Sequence, residues 1–294
     1  MSEATTRPRV AILGLGTMGA GMARRLAAAN FPLTVYNRTS EKAAPFSKLG
    51  AFVAGTPREA ASRAEVVLSM VSDDDSSRRV WQGNDGALAG AAPGTVLLES
   101  STLTVAWVRE LGAEAQRGGC ELLDAPVMGT KPHAESGELL FLVGGSAPAL
   151  AVARSVLAVL GRDVIHLGPS GSGSYMKLIN NFVCGVQGAS FAEALALIDA
   201  SGLDSEKAMS ILINGAPGSP LVKRLWDCLN TRDLVPNFLL SLMAKDLRYA
   251  QEEASRCGLQ LETVASALGV FQRAIAKGLG QEDVSAVLKS LRRA

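Results

Sequence analysis

The sequence predicts an α/β domain followed by an all-helical domain, the two joined by one long helix. Three observations carry this. As far as residue 170, short apolar runs alternate with helical patterns, as they do in a parallel α/β domain. Beyond it the strand-like runs stop and helical periodicity continues to the C-terminus. Between the two lies Gly171-Ser-Gly-Ser-Tyr-Met-Lys177-Leu-Ile-Asn-Asn181, which opens with glycines and launches an apolar pattern from Tyr175 to Ala200. A helix there has roughly 26 residues and a length of about 39 Å at 1.5 Å per residue. The predicted domains are residues 1–170 and 171–294, and a chain of 294 residues suits two domains with a sizeable core.

Composition narrows the classes of function. Lys and Arg number 29 against 28 Asp and Glu, a net charge of +1, so no basic face recommends a nucleic acid. The 48% apolar content is alanine-rich and interrupted, without a run of 18 apolar residues, so no membrane span is expected. Residues 1–8 are polar and lack an apolar core, so no signal peptide is read. Cys120, Cys184, Cys228 and Cys257 lie far apart with no C-x-x-C, which predicts reduced, mostly buried thiols in a cytoplasmic protein. With only His133 and His166 present, a histidine-based metal site is not expected.

The first strand, Arg9 to Leu13, runs straight into Gly14-Leu15-Gly16-Thr17-Met18-Gly19, and a helical pattern follows to Ala29. Strand, G-x-G-x-x-G and helix in that order form a dinucleotide-binding fingerprint of the Rossmann type. The first glycine allows the tight turn, the second lets a pyrophosphate approach the backbone, and the third permits close helix–strand packing. Free N–H groups at the helix start then face the phosphates. The second strand, Leu33 to Tyr36, ends in Asn37-Arg38-Thr39. An acidic residue about 20 residues past the glycines would take a ribose 2′-hydroxyl, whereas a guanidinium holds a 2′-phosphate. Asn37 and Arg38 therefore predict NADP(H) as the preferred cofactor, with NAD(H) possible.

The next elements follow from local signals. Ser40 to Leu49 reads as a helix closed by Gly50, and Phe52-Val53 as a short strand. Thr56-Pro57-Arg-Glu59 is a capping box with proline at the first helical position. A strand from Val66 to Met70 brings Val71 and Ser72 to its cofactor-facing end. Asp73-Asp74-Asp75 reads as the acidic start of a helix rather than a metal site. Thr95 to Leu98 is a buried strand ending in Glu99-Ser100-Ser101-Thr102, and a helix from Thr104 to Gln116 precedes the strand Glu121–Asp124.

Ala125 to Gly137, containing Met128, Gly129, Thr130, Lys131 and His133, reads as a ligand loop at a strand's carboxyl end. Its backbone N–H groups could hold a carboxylate. Strands at Leu139–Val143 and Val164–Leu167 flank a helix from Ala147 to Leu160, with His166 at a strand end. In the second domain helices are predicted at Leu203–Asn214, Leu221–Leu229, from Ser241 through Lys245 and Asp246, at Glu262–Lys277 and at Asp283–Arg292, and no sheet. Lys177 and Asn181 stand four apart and share a helix face. Beside a domain junction a lysine suits acid/base work, although on spacing alone it can equally be a lysine snorkelling from a helix end.

Taken together these residues resemble the β-hydroxyacid dehydrogenase family over nearly the whole chain. Four ordered blocks carry the likeness, Gly14–Gly19, Asp124–Gly137, Gly171–Asn181 and Lys245-Asp246. Asn37-Arg38-Thr39 and Thr130-Lys131-Pro132 look most like its glyoxylate and succinic semialdehyde reductase branch. The resemblance implies a Rossmann domain, an all-helical domain, an active site between them and a homodimer or homotetramer built on the helical domain. It implies that Lys177 is catalytic, that Asn181 helps bind or orient a small carboxylate substrate, and that Lys245 closes over cofactor and substrate with Asp246 beside it. Thr102 matches the threonine near the nicotinamide. A lysine ammonium can stabilise and protonate the oxygen on which charge grows as hydride arrives.

One position departs from the family. Its substrate loop usually reads D-A-P-V-S-G, and Met128 stands where the serine would be, removing a hydroxyl that Thr130 could replace. Alternatives to an aldehyde-acid reductase are a 3-hydroxyisobutyrate or tartronate semialdehyde type of dehydrogenase, an imine reductase, and a non-catalytic cofactor-binding scaffold. Lys177 opposes the imine reductase, in which that position usually carries another residue, while Met128, suggesting a more apolar pocket, keeps it open. The intact Lys177/Asn181 pair opposes the scaffold.

Overall fold

The computed structural model describes residues 7–231 and 236–291. Contacts divide the chain into two units, residues 1–177 and 178–294, and the division falls within one helix. The first unit begins β1 (Val10–Leu13), α1 (Thr17–Ala28), β2 (Leu33–Tyr36), α2 (Ser40–Ala43), β3 (Phe52–Val53), α3 (Pro57–Ala61), β4 (Val66–Ser69) and α4 (Asp74–Trp81). It continues with β5 (Val96–Glu99), α5 (Val105–Arg117), β6 (Glu121–Asp124), β7 (Val127–Met128), α6 (Lys131–Ser136), β8 (Leu139–Gly144), α7 (Ala147–Leu160) and β9 (Gly161–Gly168).

Among the described residues these strands form one sheet in the order β3-β2-β1-β4-β5-β6-β8-β7, with β9 also on β8. The first six strands are parallel, and β8 joins β6 antiparallel. Parallel strands covered on both faces read as continuous apolar runs, and all four residues of β1 and of β4 are buried. One face packs against α1 and α7 through Met22, Leu26, Val156 and Leu157. The other packs against Trp81 of α4 and Trp107, Val108 and Leu111 of α5.

Side-chain caps set several helix starts, each contributing about 0.5–2 kcal/mol. Thr104 caps α5 through Trp107 N, Ser146 caps α7 through Ala149 N, and Asp73 caps α4 through Ser76 N. The box predicted at Thr56 is half present. Thr56 accepts from Glu59 N, but the Glu59 carboxylate takes the N–H of Gly55 instead of Thr56.

Several predicted elements differ. The helix expected over Ser40–Leu49 is α-helical only to Ala43 and then tightens into a 3₁₀ segment, Ala44–Leu49. Pro45 has no N–H for the α ladder, and Gly50 at φ 80° ends the segment. The stretch expected as a loop from Ala125 to Gly137 holds both β7 and α6, because Val127 and Met128 pair with Phe141 and Leu140. The last strand is longer than its apolar pattern, since the ladder with β8 fixes its length.

The long helix α8 (Ser172–Ser201) starts three residues earlier than its apolar pattern and has 30 residues, about 45 Å. Gly173 permits the early start, because a Cβ there would collide with the Leu142 carbonyl. α8 alone among the described helices is long and apolar enough to cross a membrane by composition, and 44% of the apolar window is buried inside the protein. It supplies Ala189, Phe191, Ala192 and Leu195 to the core of the second unit.

That unit adds α9 (Ser205–Asn214), α10 (Pro220–Thr231), α11 (Leu240–Arg256) and α12 (Glu262–Ala276). Met209, Leu225, Leu247, Val270 and Phe271 close its core. No strand occurs among its described residues, only a bridge between Leu239 and Asp283. The helix expected over Asp283–Arg292 is a 3₁₀ segment, Val284–Lys289, and Arg292 lies outside the described residues. Asp283 explains its start, accepting from the N–H groups of Asn237, Phe238 and Ser285.

Candidate active site

The strand order reverses direction between β1 and β4, which opens a crevice beyond their carboxyl ends. Gly14 to Gly19 turn there. Gly14 has φ 99°, and a Cβ on it would strike the Met70 carbonyl. A Cβ on Gly19 would strike the Gly14 carbonyl, so the third glycine lets α1 close on β1. A Cβ on Gly16 would meet nothing within 4 Å. Gly16 and Thr17 are exposed, Met18 packs on the core, and Leu15 is buried. No side chain caps α1 and no acid lies in its first turn. Open space over Gly16 and an uncapped positive helix end fit a dinucleotide's pyrophosphate.

Asn37 is tied into this loop. Its Oδ1 accepts from Leu15 N at 2.8 Å, and its Nδ2 donates to Thr39 O at 2.8 Å. It thus holds the glycine turn against the end of β2. Arg38 and Thr39 are exposed just beyond it. Sequence reading took Asn37 chiefly as the absence of an acid; its bond to Leu15 is a feature that spacing does not reveal.

Met70 and Val71 continue from β4 against the first glycine, and Met70 N donates to Leu13 O. Val71 N donates to Ser101 Oγ at 2.8 Å, and Ser72 Oγ donates to Asp73 Oδ2 at 2.7 Å. Thr102, half-buried, follows Ser101. Beneath them lies a cluster that sequence reading missed. Glu99 is fully buried, with Oε2 accepting from Ser77 Oγ and Trp81 Nε1 at 2.7 Å each, and Oε1 accepting from Ser101 N at 3.0 Å. Ser77 in turn accepts from Trp107 Nε1 at 2.9 Å. Burial pushes the Glu99 carboxyl up, and these donors oppose the shift without cancelling it. The available signal was a charged residue closing a wholly apolar strand.

Asp124 is also fully buried. Its two oxygens accept from Gly171 N and Ser174 N, both at 2.7 Å, so it caps α8. Burial raises its carboxyl, and the backbone donors oppose that. Further along, half-buried Met128 lies in β7 opposite Leu140, and Gly129 at φ 132° is exposed. Thr130 N donates to His133 Nδ1 at 3.1 Å, and the Thr130 hydroxyl lies 3.1 Å from the same nitrogen. Thr130 thus starts α6, and its hydroxyl is shared with an imidazole. Helix α6 rests on α1, with Ala134 against Gly21 and Arg24 beside Glu135 at 3.3 Å.

Lys177 is half-buried on α8, and Asn181 stands one turn later, 5% exposed. Within the second unit Asn181 Nδ2 donates to Asp246 Oδ2 at 2.6 Å. Lys245 Nζ lies 3.0 Å from Asp246 Oδ1 and 4.9 Å from the centre of the Tyr249 ring. The structure brings together Gly14, Asn37, Met70 and Val71 in one unit and Asn181, Lys245 and Asp246 in the other.

Residues 9–168 match the family described as the NAD binding domain of 6-phosphogluconate dehydrogenase. Residues 171–291 match that of the NAD-binding region of NADP-dependent 3-hydroxyisobutyrate dehydrogenase. The chain is 34% identical over 288 residues to NAD-dependent L-serine dehydrogenase of Pseudomonas aeruginosa, covering 96% of this chain and 97% of that protein. It is 32% identical over 285 residues to the chloroplastic glyoxylate/succinic semialdehyde reductase 2 of Arabidopsis thaliana, covering 97% and 80%. The structure of 3-hydroxyisobutyrate dehydrogenase from Mycobacterium tuberculosis with L-serine superposes with a TM-score of 0.88 at 31% identity, covering 98% of this chain and all of that one.

Proposed function

The chain belongs to the β-hydroxyacid dehydrogenase family and is an NAD(P)-dependent oxidoreductase acting on CH–OH groups of small molecules; from there we propose that it reduces small aldehyde acids with NADPH. The substrates are of the glyoxylate and succinic semialdehyde type, and the reverse reaction oxidises the hydroxy acid. The observation that carries this is exposed Arg38 at the end of β2, beside an Asn37 already engaged by the glycine loop. A carboxylate there would repel a 2′-phosphate, and a guanidinium pairs with one.

A nicotinamide bound at this site supplies the hydride. The chain's own residues bind, orient and handle the proton. Gly14 to Gly19 and the start of α1 hold the phosphates, with Val71, Ser72 and Thr102 lining the same edge. Lys177 Nζ delivers a proton to the nascent alkoxide and stabilises its charge until then. In the first unit the N–H groups around Met128 and Gly129 suit a carboxylate; in the second, Asp246 anchors Asn181 and Lys245, the residues that the resemblance assigns to the substrate.

A second reading is an NAD(H)-using dehydrogenase of the 3-hydroxyisobutyrate or L-serine type. The similarity to the Pseudomonas L-serine dehydrogenase and the Mycobacterium tuberculosis structure favours it. Steady-state assays with NADPH and NADH against glyoxylate, succinic semialdehyde and tartronate semialdehyde, and with NADP⁺ and NAD⁺ against 3-hydroxyisobutyrate and L-serine, separate the two. A higher kcat/KM for the hydroxy acids with NAD⁺ would replace the first reading with the second.

The proposal includes a cytoplasmic location, on the wide cysteine spacing, and a homodimer or homotetramer. Val183 and Leu197 of α8 and Ile211 of α9 are 55%, 71% and 72% exposed, apolar side chains of the kind that a second copy would cover. Light scattering after size exclusion checks it, and a monomer at micromolar concentration would refute it.

A further inference from the structure

We infer that Glu99 is a positioning residue for the dinucleotide loop, acting through Ser101 and Val71. The inference rests on the reading of Gly14–Gly19 and Val71 as the cofactor's site, and adds a buried group that holds that site in shape. The route is continuous and short. Glu99 closes β5 and is fully buried among Trp81, Trp107 and Ser77. Ser101 N donates to its carboxylate at 3.0 Å. The Ser101 hydroxyl accepts from Val71 N at 2.8 Å. Val71 packs against the first glycine, since a Cβ on Gly14 would lie 3.1 Å from Val71 Cγ1.

The Trp81 Nε1–H and the Ser101 N–H can only donate, so the Glu99 oxygens accept from both, and Ser77 Oγ donates to one of them. The backbone N–H of Ser101 is held by Glu99, and its hydroxyl oxygen accepts the Val71 N–H, so one residue links the two. Trp81 and Ser77 hold the carboxylate from α4, and Trp107 braces Ser77 from α5. The peptide after β4 is therefore held by a serine whose own backbone N–H is fixed by a group two residues before it. A neutral amide at position 99 cannot satisfy all these donors, because one end of it is itself a donor. Either Ser101 or the α4 side chains then turn away, and the Val71 peptide loses its anchor.

Glu99→Gln keeps size and shape, and cofactor Kd is read by fluorescence titration, which needs no substrate. We expect Kd to rise about 5- to 50-fold for NADPH and NADH alike, because the glycine loop serves the portion common to both. At saturating cofactor, kcat should stay within about threefold, since Lys177 is untouched. Ser101→Ala should raise Kd similarly, and the double variant should be no worse than the more damaged single one, as expected for residues acting in one chain. A folded Glu99→Gln chain with unchanged Kd for both cofactors would overturn the inference, as would additive effects in the double variant. If Glu99→Gln fails to fold, Ser101→Ala decides alone, and an unchanged Kd there overturns it. A wild-type chain that bound neither cofactor would overturn the cofactor reading itself and this inference with it. Normal wild-type binding with unaffected variants overturns this inference only.

Discussion

Asn181 donates to Asp246 across 2.6 Å and 65 positions of sequence, pinning α8 to α11 through one buried carboxylate. The other oxygen of Asp246 faces Lys245 Nζ at 3.0 Å, an ion pair. Asp246 is 1% exposed, so its charge is stabilised by these two neighbours instead of water. Asp246→Ala withdraws the acceptor from both and should cost about 3–5 kcal/mol of stability. Asp246→Asn, which keeps an acceptor for Asn181, should cost less. Urea unfolding checks both, and a loss below about 1 kcal/mol for the alanine variant would contradict this account.

The glycine loop predicts a contrast between neighbours. Gly19→Ala drives a Cβ into the Gly14 carbonyl and should destabilise the protein by about 1–3 kcal/mol. Gly16→Ala places its Cβ in open space, so the melting temperature should hold. With the pyrophosphate placed there, as we propose, cofactor Kd should rise about tenfold or more. Melting curves and cofactor titrations on the two variants measure this, and identical behaviour would show that Gly16 does not face the cofactor.

Arg38→Ala should raise KM for NADPH and leave KM for NADH nearly unchanged. A charged hydrogen bond is worth about 1.5–3 kcal/mol, and the exposure of Arg38 puts the expected loss near the lower end, about tenfold. Equal losses with both cofactors would remove Arg38 as the discriminator.

Lys177→Met keeps the length and apolar stem of the side chain while deleting its proton. Loss of general acid catalysis lowers kcat by about 10²- to 10⁴-fold. Cofactor Kd should stay near normal, because the glycine loop and Arg38 are untouched. A variant retaining more than about a tenth of wild-type kcat would make Lys177 structural.

Local chemistry made much of this fold legible. Leu33–Tyr36 and Ala147–Leu160 have the bounds their patterns predict, since apolar runs and a serine cap are short-range signals. Helix α6 shows a limit of the same signals. Thr130, Pro132 and Gly137 are a legible helix start and stop, yet the density of glycine and proline around them reads first as a loop. The Glu99 cluster was out of reach for another reason. Its partners lie 18, 22 and 30 positions apart, and such pairings depend on which helices the sheet gathers, not on any period along the chain. The Asn181–Asp246 bond is hidden in the same way, although both residues were singled out from the resemblance.

The capping of α8 by Asp124 bears on how the chain can be dissected. A cut between residues 170 and 171 removes both backbone donors and strands a carboxylate in the interior, where burial would drive it to take up a proton. A cut after Lys177 keeps the donors but leaves six residues of α8, too few to stay helical without the rest. The cofactor-binding half therefore has no clean seam at its downstream end, and a fragment meant to carry it must include enough of α8 to keep the Asp124 cap wound.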